Sequence, residues 1–114
     1  MLLGFSQGAC LASEFVIRNP RRYGGVLVLS GGLIGDRLYT ENYQGDFAGA
    51  PIFLGCSDTD FHIPLQRVNE STRVLADMNA WVTEKIYPNM GHTIIQDEID
   101  QINRIIVERI KEKE

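Results

Sequence analysis

An α/β fold with a parallel sheet is predicted by two observations. Short, almost continuously apolar runs alternate along the chain with segments of helical apolar spacing, and each run stops at a glycine, serine or proline. The runs are Leu2 to Phe5, Val26 to Leu29, Pro51 to Leu54 ending at Gly55, and Ala80 to Tyr87 ending at Pro88. The first three do not alternate, the pattern of strands covered on both faces, whereas the fourth alternates more. Ala9, Ala12, Phe15 and Val16 recur at helical spacing and place a largely buried helix over Gln7 to Asn19, with Pro20 as its stop. Pro64, at an N1-like position, opens a second helix that runs to about Asp77 with Leu65, Val68 and Leu75 inward. Ile95, Ile99, Ile102, Ile106 and Ile110 step by four, three, four and four and predict a long amphipathic C-terminal helix with a fraying Lys/Glu tail. The sum is about four parallel strands with about three helices and right-handed crossovers, in a single domain over residues 1–114. Leu33 to Gly49 has no periodicity and reads as a connector or a lid.

Composition excludes more than it assigns. The chain has 114 residues, 44% hydrophobic and 23% charged, which is ordinary for a globular protein and unlike a disordered one. A net charge of −4, with Arg18, Arg21 and Arg22 as the densest basic spot, argues against a nucleic-acid partner; these arginines read as a solvated helix end. No apolar run approaches the ~20 residues that span a bilayer, and the start lacks the basic, apolar pattern of a secretory leader. Cys10 and Cys56 have no ligand-like or CxxC spacing, so reduced thiols in a cytoplasmic setting are expected.

Gly4-Phe5-Ser6-Gln7-Gly8 fits G-x-S-x-G at a strand-to-helix junction, the turn that presents a serine hydroxyl at the C-terminal edge of a sheet. The expected reason for both glycines is steric: Ser6 needs a strained backbone, and side chains at positions 4 and 8 would strike the strand–helix packing. A serine nucleophile needs a base, and the base needs a carboxylate to hold its tautomer. Of the two histidines, His92 lies in Asn89-Met90-Gly91-His92-Thr93 between the last strand and last helix, where this architecture delivers its base. His62, two residues from Asp60, reads as exposed loop polarity. Asp58 and Asp60 both follow the third strand, and the residues alone leave the acid open between them.

GFSQGA at Gly4 to Ala9, the Ser30-Gly31-Gly32 turn, Asp60 with Pro64 four residues on, and Gly91-His92-Thr93-Ile94 together resemble the phospholipase/carboxylesterase (acyl-protein thioesterase-like) family of serine α/β-hydrolases in type, order and spacing. The resemblance implies that Asp60 is the acid, leaving Asp58 as a turn former. It implies hydrolysis of carboxylic esters or thioesters through an acyl-enzyme on Ser6, with His92 as base and then acid, Asp60 orienting it, and no metal or cofactor. Phe61 and Met90, near Asp60 and His92 in sequence, are candidates to line an acyl pocket.

The same resemblance implies a partial α/β-hydrolase fold, the C-terminal half, because family members are about twice as long and carry upstream strands, one ending in a His-Gly loop that supplies an oxyanion-hole N–H. The Gln7 N–H is the donor expected here. Loss of one donor costs on the order of a hundred- to a thousand-fold in rate, so weak hydrolysis is expected, and the competing reading is a noncatalytic fragment or interaction module. A first strand with the apolar, uncharged edge of Leu2, Leu3 and Phe5 also predicts a homo-oligomer, pairing two edges into a sheet of about eight strands.

Overall fold

Strands that are apolar throughout are expected to be covered on both faces; in the computed structural model Val26–Leu29 and Pro51–Ser57 are, whereas Leu2–Phe5 leaves one face open, with Leu3 54% and Phe5 37% exposed. The structure describes residues 1–33, 45–58, 65–88 and 94–113, with side chains through Glu108. The elements are β1 (Leu2–Phe5), α1 (Gln7–Arg18), β2 (Val26–Leu29), β3 (Pro51–Ser57), α2 (Leu65–Asp77), β4 (Trp81–Tyr87) and α3 (Gln96–Lys113). The four strands form one parallel sheet in the order β1-β2-β3-β4. Helices α1 and α2 lie on one face, where Val26, Val28, Ile52 and Leu54 pack with Ala9, Val16, Ile17, Val68 and Leu75. On the other face Leu27, Leu29 and Phe53 pack against Ile102 and Ile105 of α3. All four residues of β2 are buried, two per face, and at about 1.5–3 kcal/mol for each large side chain this strand is the centre of the core.

Several expectations need correction. β3 does not end at Gly55 but runs on through Ser57, because its pairing with β4 continues to Ser57 opposite Tyr87. Phe15 of α1 is 50% exposed, and the buried positions are Ala9, Ser13, Glu14, Val16 and Ile17. The buried stripe is rotated from the expected one, on the side of α1 that packs against β1 and β2. In α3 the line facing the sheet is Glu98, Gln101, Ile102 and Ile105, whereas Ile99 is exposed. Pro64, expected to open α2, lies outside the described residues, as does most of the Leu33 to Gly49 segment.

Where that segment is described again, its end is tied to the turn after α2. Asn79 takes φ 66, a conformation asparagine tolerates, and its side chain donates to Asp46 Oδ1 at 3.0 Å. Phe47 N–H donates to Met78 O (2.9 Å), Gly49 N–H to Asn79 O (2.8 Å) and Trp81 N–H to Ala50 O (2.9 Å). These bonds bring β3 and β4 into register at their first residues.

The strand–helix junction at Ser6 rests on glycine at one position rather than two. A Cβ on Gly4 would overlap the backbone carbonyl of Gly8, whereas a Cβ on Gly8 would meet nothing within 4 Å. Gly8 therefore lets the turn form through its backbone's close approach to Gly4, and its own side-chain space is open. We expect Gly4→Ala to lower stability by about 2–4 kcal/mol, as overpacking against main chain does. Gly8→Ala is expected to be neutral or stabilising by up to about 1 kcal/mol through helix propensity. Urea denaturation of the two variants checks the contrast; equal losses would show that the steric demand is shared.

Candidate active site

The chain leaves β1 at Phe5 and enters α1 at Gln7, so Ser6 must reverse the backbone in one residue. It does so at φ 61, ψ −120, a region that side chains rarely occupy and that persists only where the surroundings enforce it. Three contacts enforce it. Ser6 N–H donates to Leu29 O at 2.9 Å, Cys10 N–H donates to Ser6 O at 3.1 Å, and Gly4 gives way to the Gly8 main chain. The Ser6 hydroxyl does not cap α1.

The turn after β2 is fitted to the same place. Ser30 is buried with φ 55, and its N–H donates to Gly55 O at 2.7 Å. A Cβ on Gly31 would lie 2.5 Å from Ala9 Cβ and 3.0 Å from Ser6 O. The Ser30-Gly31-Gly32 turn thus seats directly against the start of α1. Leu33 beyond it is fixed by its N–H to Ser71 Oγ (3.0 Å) and by Arg67 Nη1 donating to its carbonyl (3.0 Å).

All four strands end at this edge of the sheet, with Ser6, Ser30, Asp58 and Pro88 as the next residues. Asp58 is exposed and its N–H donates to Tyr87 O at 3.1 Å. Gln7 is the first residue of α1, so its N–H is one of the helix donors with no intrahelical acceptor. Asp60, His62, His92, Phe61 and Met90 lie outside the described residues. A groove of about 350 Å³ among Arg22, Pro51, Trp81, Ile105 and Glu108 lies at the opposite end of the sheet, where the strands begin.

Sequence reasoning did not anticipate the acidic pair that opens α3. Tyr87 Oη donates to Asp97 Oδ2 at 2.6 Å, and Lys85 Nζ lies 3.5 Å from the same oxygen. Burial, reinforced by the bond to Asp97, pushes the Tyr87 phenol far up, and the phenol's hydrogen bond in turn holds Asp97 below the ordinary carboxylate range. Glu98 points the other way and is fully buried. Its Oε1 accepts from Ile95 N–H at 3.2 Å, the N3-to-N-cap bond of a capping box, while its Oε2 has no hydrogen-bond partner among the described residues. That second oxygen occupies the space a side chain on Gly55 would need. A buried polar atom left unsatisfied costs about 1–3 kcal/mol. No S/T-x-x-E pattern marks this cap, since Ile95 stands at its first position.

A serine at a strained strand-to-helix turn, followed by three further strand ends on one edge, can be set beside known proteins. A family model described as Phospholipase/Carboxylesterase matches residues 1–110. The chain belongs to the phospholipase/carboxylesterase family. Among relatives, acyl-protein thioesterase 1 of Gibberella zeae is 25% identical over 115 residues, covering 99% of this chain and 49% of its own length. Acyl-protein thioesterase 1 of Saccharomyces cerevisiae is 29% identical over 105 residues, 90% of this chain and 46% of its own. The crystal structure of a phospholipase/carboxylesterase from Dyadobacter fermentans superposes with a TM-score of 0.89 at 48% identity, over 91% of this chain and 50% of that one. The chain spans about half the length of the curated relatives it matches. Its fold is the matching part of an α/β-hydrolase.

Burial raises the Glu98 pKa, the Ile95 N–H works against that rise, and the Asp97 charge adds to it. A carboxyl harder to ionise in the native state than in the unfolded chain contributes full stability below the ordinary glutamate value near pH 4.3, and loses it as pH rises through the raised native value. Glu98→Gln should remove this loss. Melting temperatures measured from pH 3 to 8 should coincide for the two proteins at the acid end, with the variant higher at neutral pH; parallel curves would contradict the raised value.

Proposed function

We propose that the chain is a serine esterase or thioesterase that forms an acyl-enzyme on Ser6. The observation that carries this reading is the Ser6 backbone, held at φ 61 by contacts from Gly4, Gly31 and Leu29, a strained conformation of the kind that clusters at active sites. Ser6 Oγ attacks the carbonyl carbon of an ester or thioester while His92 takes its proton. The Gln7 N–H donates to the oxyanion of the tetrahedral intermediate, and Asp60 holds the tautomer of His92. His92 returns the proton to the departing alcohol or thiol, and water repeats the sequence to release the acid. Phe61 and Met90 are our candidates for the wall of the acyl pocket. The acyl-protein thioesterases and carboxylesterases among the relatives support this substrate class. Cys10 and Cys56 are held in no disulfide, which supports a cytoplasmic setting.

A fluorophosphonate probe tests the nucleophile, since only an activated hydroxyl attacks phosphorus quickly. Labelling should map to Ser6 and vanish in Ser6→Ala. Labelling of Ser13, Ser30, Ser57 or Ser71 instead would remove the assignment, and labelling of no serine would favour the noncatalytic reading. Short-chain ester hydrolysis should fall as far in His92→Ala as in Ser6→Ala, somewhat less in Asp60→Asn and little in Asp58→Asn. Collapse in Asp58→Asn with survival in Asp60→Asn would move the acid to Asp58.

We also propose that β1, which closes one end of the sheet and leaves Leu3 54% exposed, pairs with β1 of a second copy. An uncharged, apolar strand of this kind is self-complementary about a twofold axis. Light scattering at micromolar concentration should give a dimer that Leu3→Lys dissociates; a stable monomer of 12.8 kDa would refute the pairing.

A further inference from the structure

Glu98 is an unusual way to cap a helix. A carboxylate at the third position of a helix ordinarily stands in water, where it meets the backbone N–H at no desolvation cost. Here the whole group is buried against β3, one oxygen on Ile95 N–H and the other against Gly55 with no hydrogen-bond partner among the described residues. A serine or aspartate at the start of α3 would cap it without that cost. The neighbouring residue ties the same turn to another strand: Asp97 receives Tyr87 Oη and faces Lys85, both on β4. The first turn of α3 is thereby fixed at two points, to the end of β4 and to the body of β3. Gly55 stands two residues before the last residue of β3, whose chain continues toward Asp60; Ile95 stands three residues after His92.

We propose that Glu98 is a positioning residue: its buried carboxyl, bonded to the start of α3 and wedged against Gly55 of β3, sets the spacing between the strand that leads to Asp60 and the helix that follows His92. The proposal rests on the triad reading above, in which Asp60 must meet His92. Size and an acceptor oxygen are what the role requires, and glutamine has both. Negative charge is not required. Alanine leaves the Ile95 N–H without its acceptor and a void against Gly55. Aspartate, one methylene shorter, cannot reach both.

The test reads His92 directly and needs no turnover. In the full chain, the imidazole Cε1–H resonances of the two histidines are followed by NMR from pH 4 to 9, with His62→Gln identifying His92. A neighbouring carboxylate raises an imidazole pKa, by roughly one unit in a close pair. Asp60→Asn should therefore lower the His92 midpoint by about one unit, Glu98→Ala by about half a unit or more, and Glu98→Gln by less than about 0.2. Should circular dichroism show Glu98→Ala unfolded, Glu98→Asp replaces it with the same expectation. If Asp60→Asn moves His92 and the shortened Glu98 variant does not, the positioning role is overturned and the triad stands. If Glu98→Gln moves His92 as far as alanine does, the effect is one of charge and the proposal also falls. If the shortened variant moves His92 and Asp60→Asn does not, Glu98 positions the base and the acid assignment falls instead. If neither moves it, both are overturned.

Discussion

The close approach of α1 to the ends of β1 and β2 is the constraint on which the rest of the molecule depends. A helix that starts one residue after a strand ends cannot clear that strand unless the backbone reverses sharply and one position on the strand has no side chain. Ser6 makes the reversal and Gly4 is that position. Once α1 lies this low over the sheet, the next turn must also be thin where it passes beneath, which is why Gly31 faces Ala9 and Ser6. The strain at the serine is thus shared by two strand ends and a helix, and none of these can relax without the others.

Parallel strand ends arrive at one edge because each crossover returns the chain to the opposite end of the sheet. The edge beside Ser6 therefore receives every segment that follows a strand. Its floor is firm: Ser30 and Asp58 are joined by main-chain hydrogen bonds to the adjacent strand, and Leu33 is held by Ser71 and Arg67 of α2.

Much of this was legible in the residues. β2 could be read because burial on both faces leaves no place for a polar residue, and the turn at Ser6 because G-x-S-x-G stands between an apolar run and a segment of helical spacing. The boundaries of β3 were not legible. Gly55 looks like a strand breaker, yet it lies within β3, where a side chain would meet the Phe53 ring and a glutamate from a helix 43 positions away, the latter a relation no local pattern carries. The inward line of α3 was missed for the same reason. Isoleucine spacing pointed to one stripe, whereas a carboxyl and an amide, Glu98 and Gln101, occupy the buried line beside Ile102 and Ile105. Phe15 misled in the opposite direction: its helical spacing fits a buried face, but the buried line of α1 runs through Ser13, Glu14, Val16 and Ile17 instead. Of the three residues proposed as a triad, Ser6 falls among the described residues, and Asp60 and His92 were legible from motif order and family resemblance.

The single tryptophan of the chain stands at the first residue of β4 and is 73% exposed. It is three strands from Ser6 and separated further by the length of a seven-residue strand, roughly 20 Å at 3.3 Å per residue. Its indole is already in contact with water in the native state, so its emission has little further to redshift when the chain unfolds, and it is remote from any change at the serine. The protein is thus nearly silent in the signal most often used to follow folding and ligand binding. The tyrosines are better placed as optical reporters: Tyr23 packs in the core against Phe47, and Tyr87 is hydrogen-bonded to Asp97 at the start of α3. Unfolding exposes the first ring to water and breaks the bond of the second, so near-ultraviolet absorbance carries the information that indole fluorescence lacks.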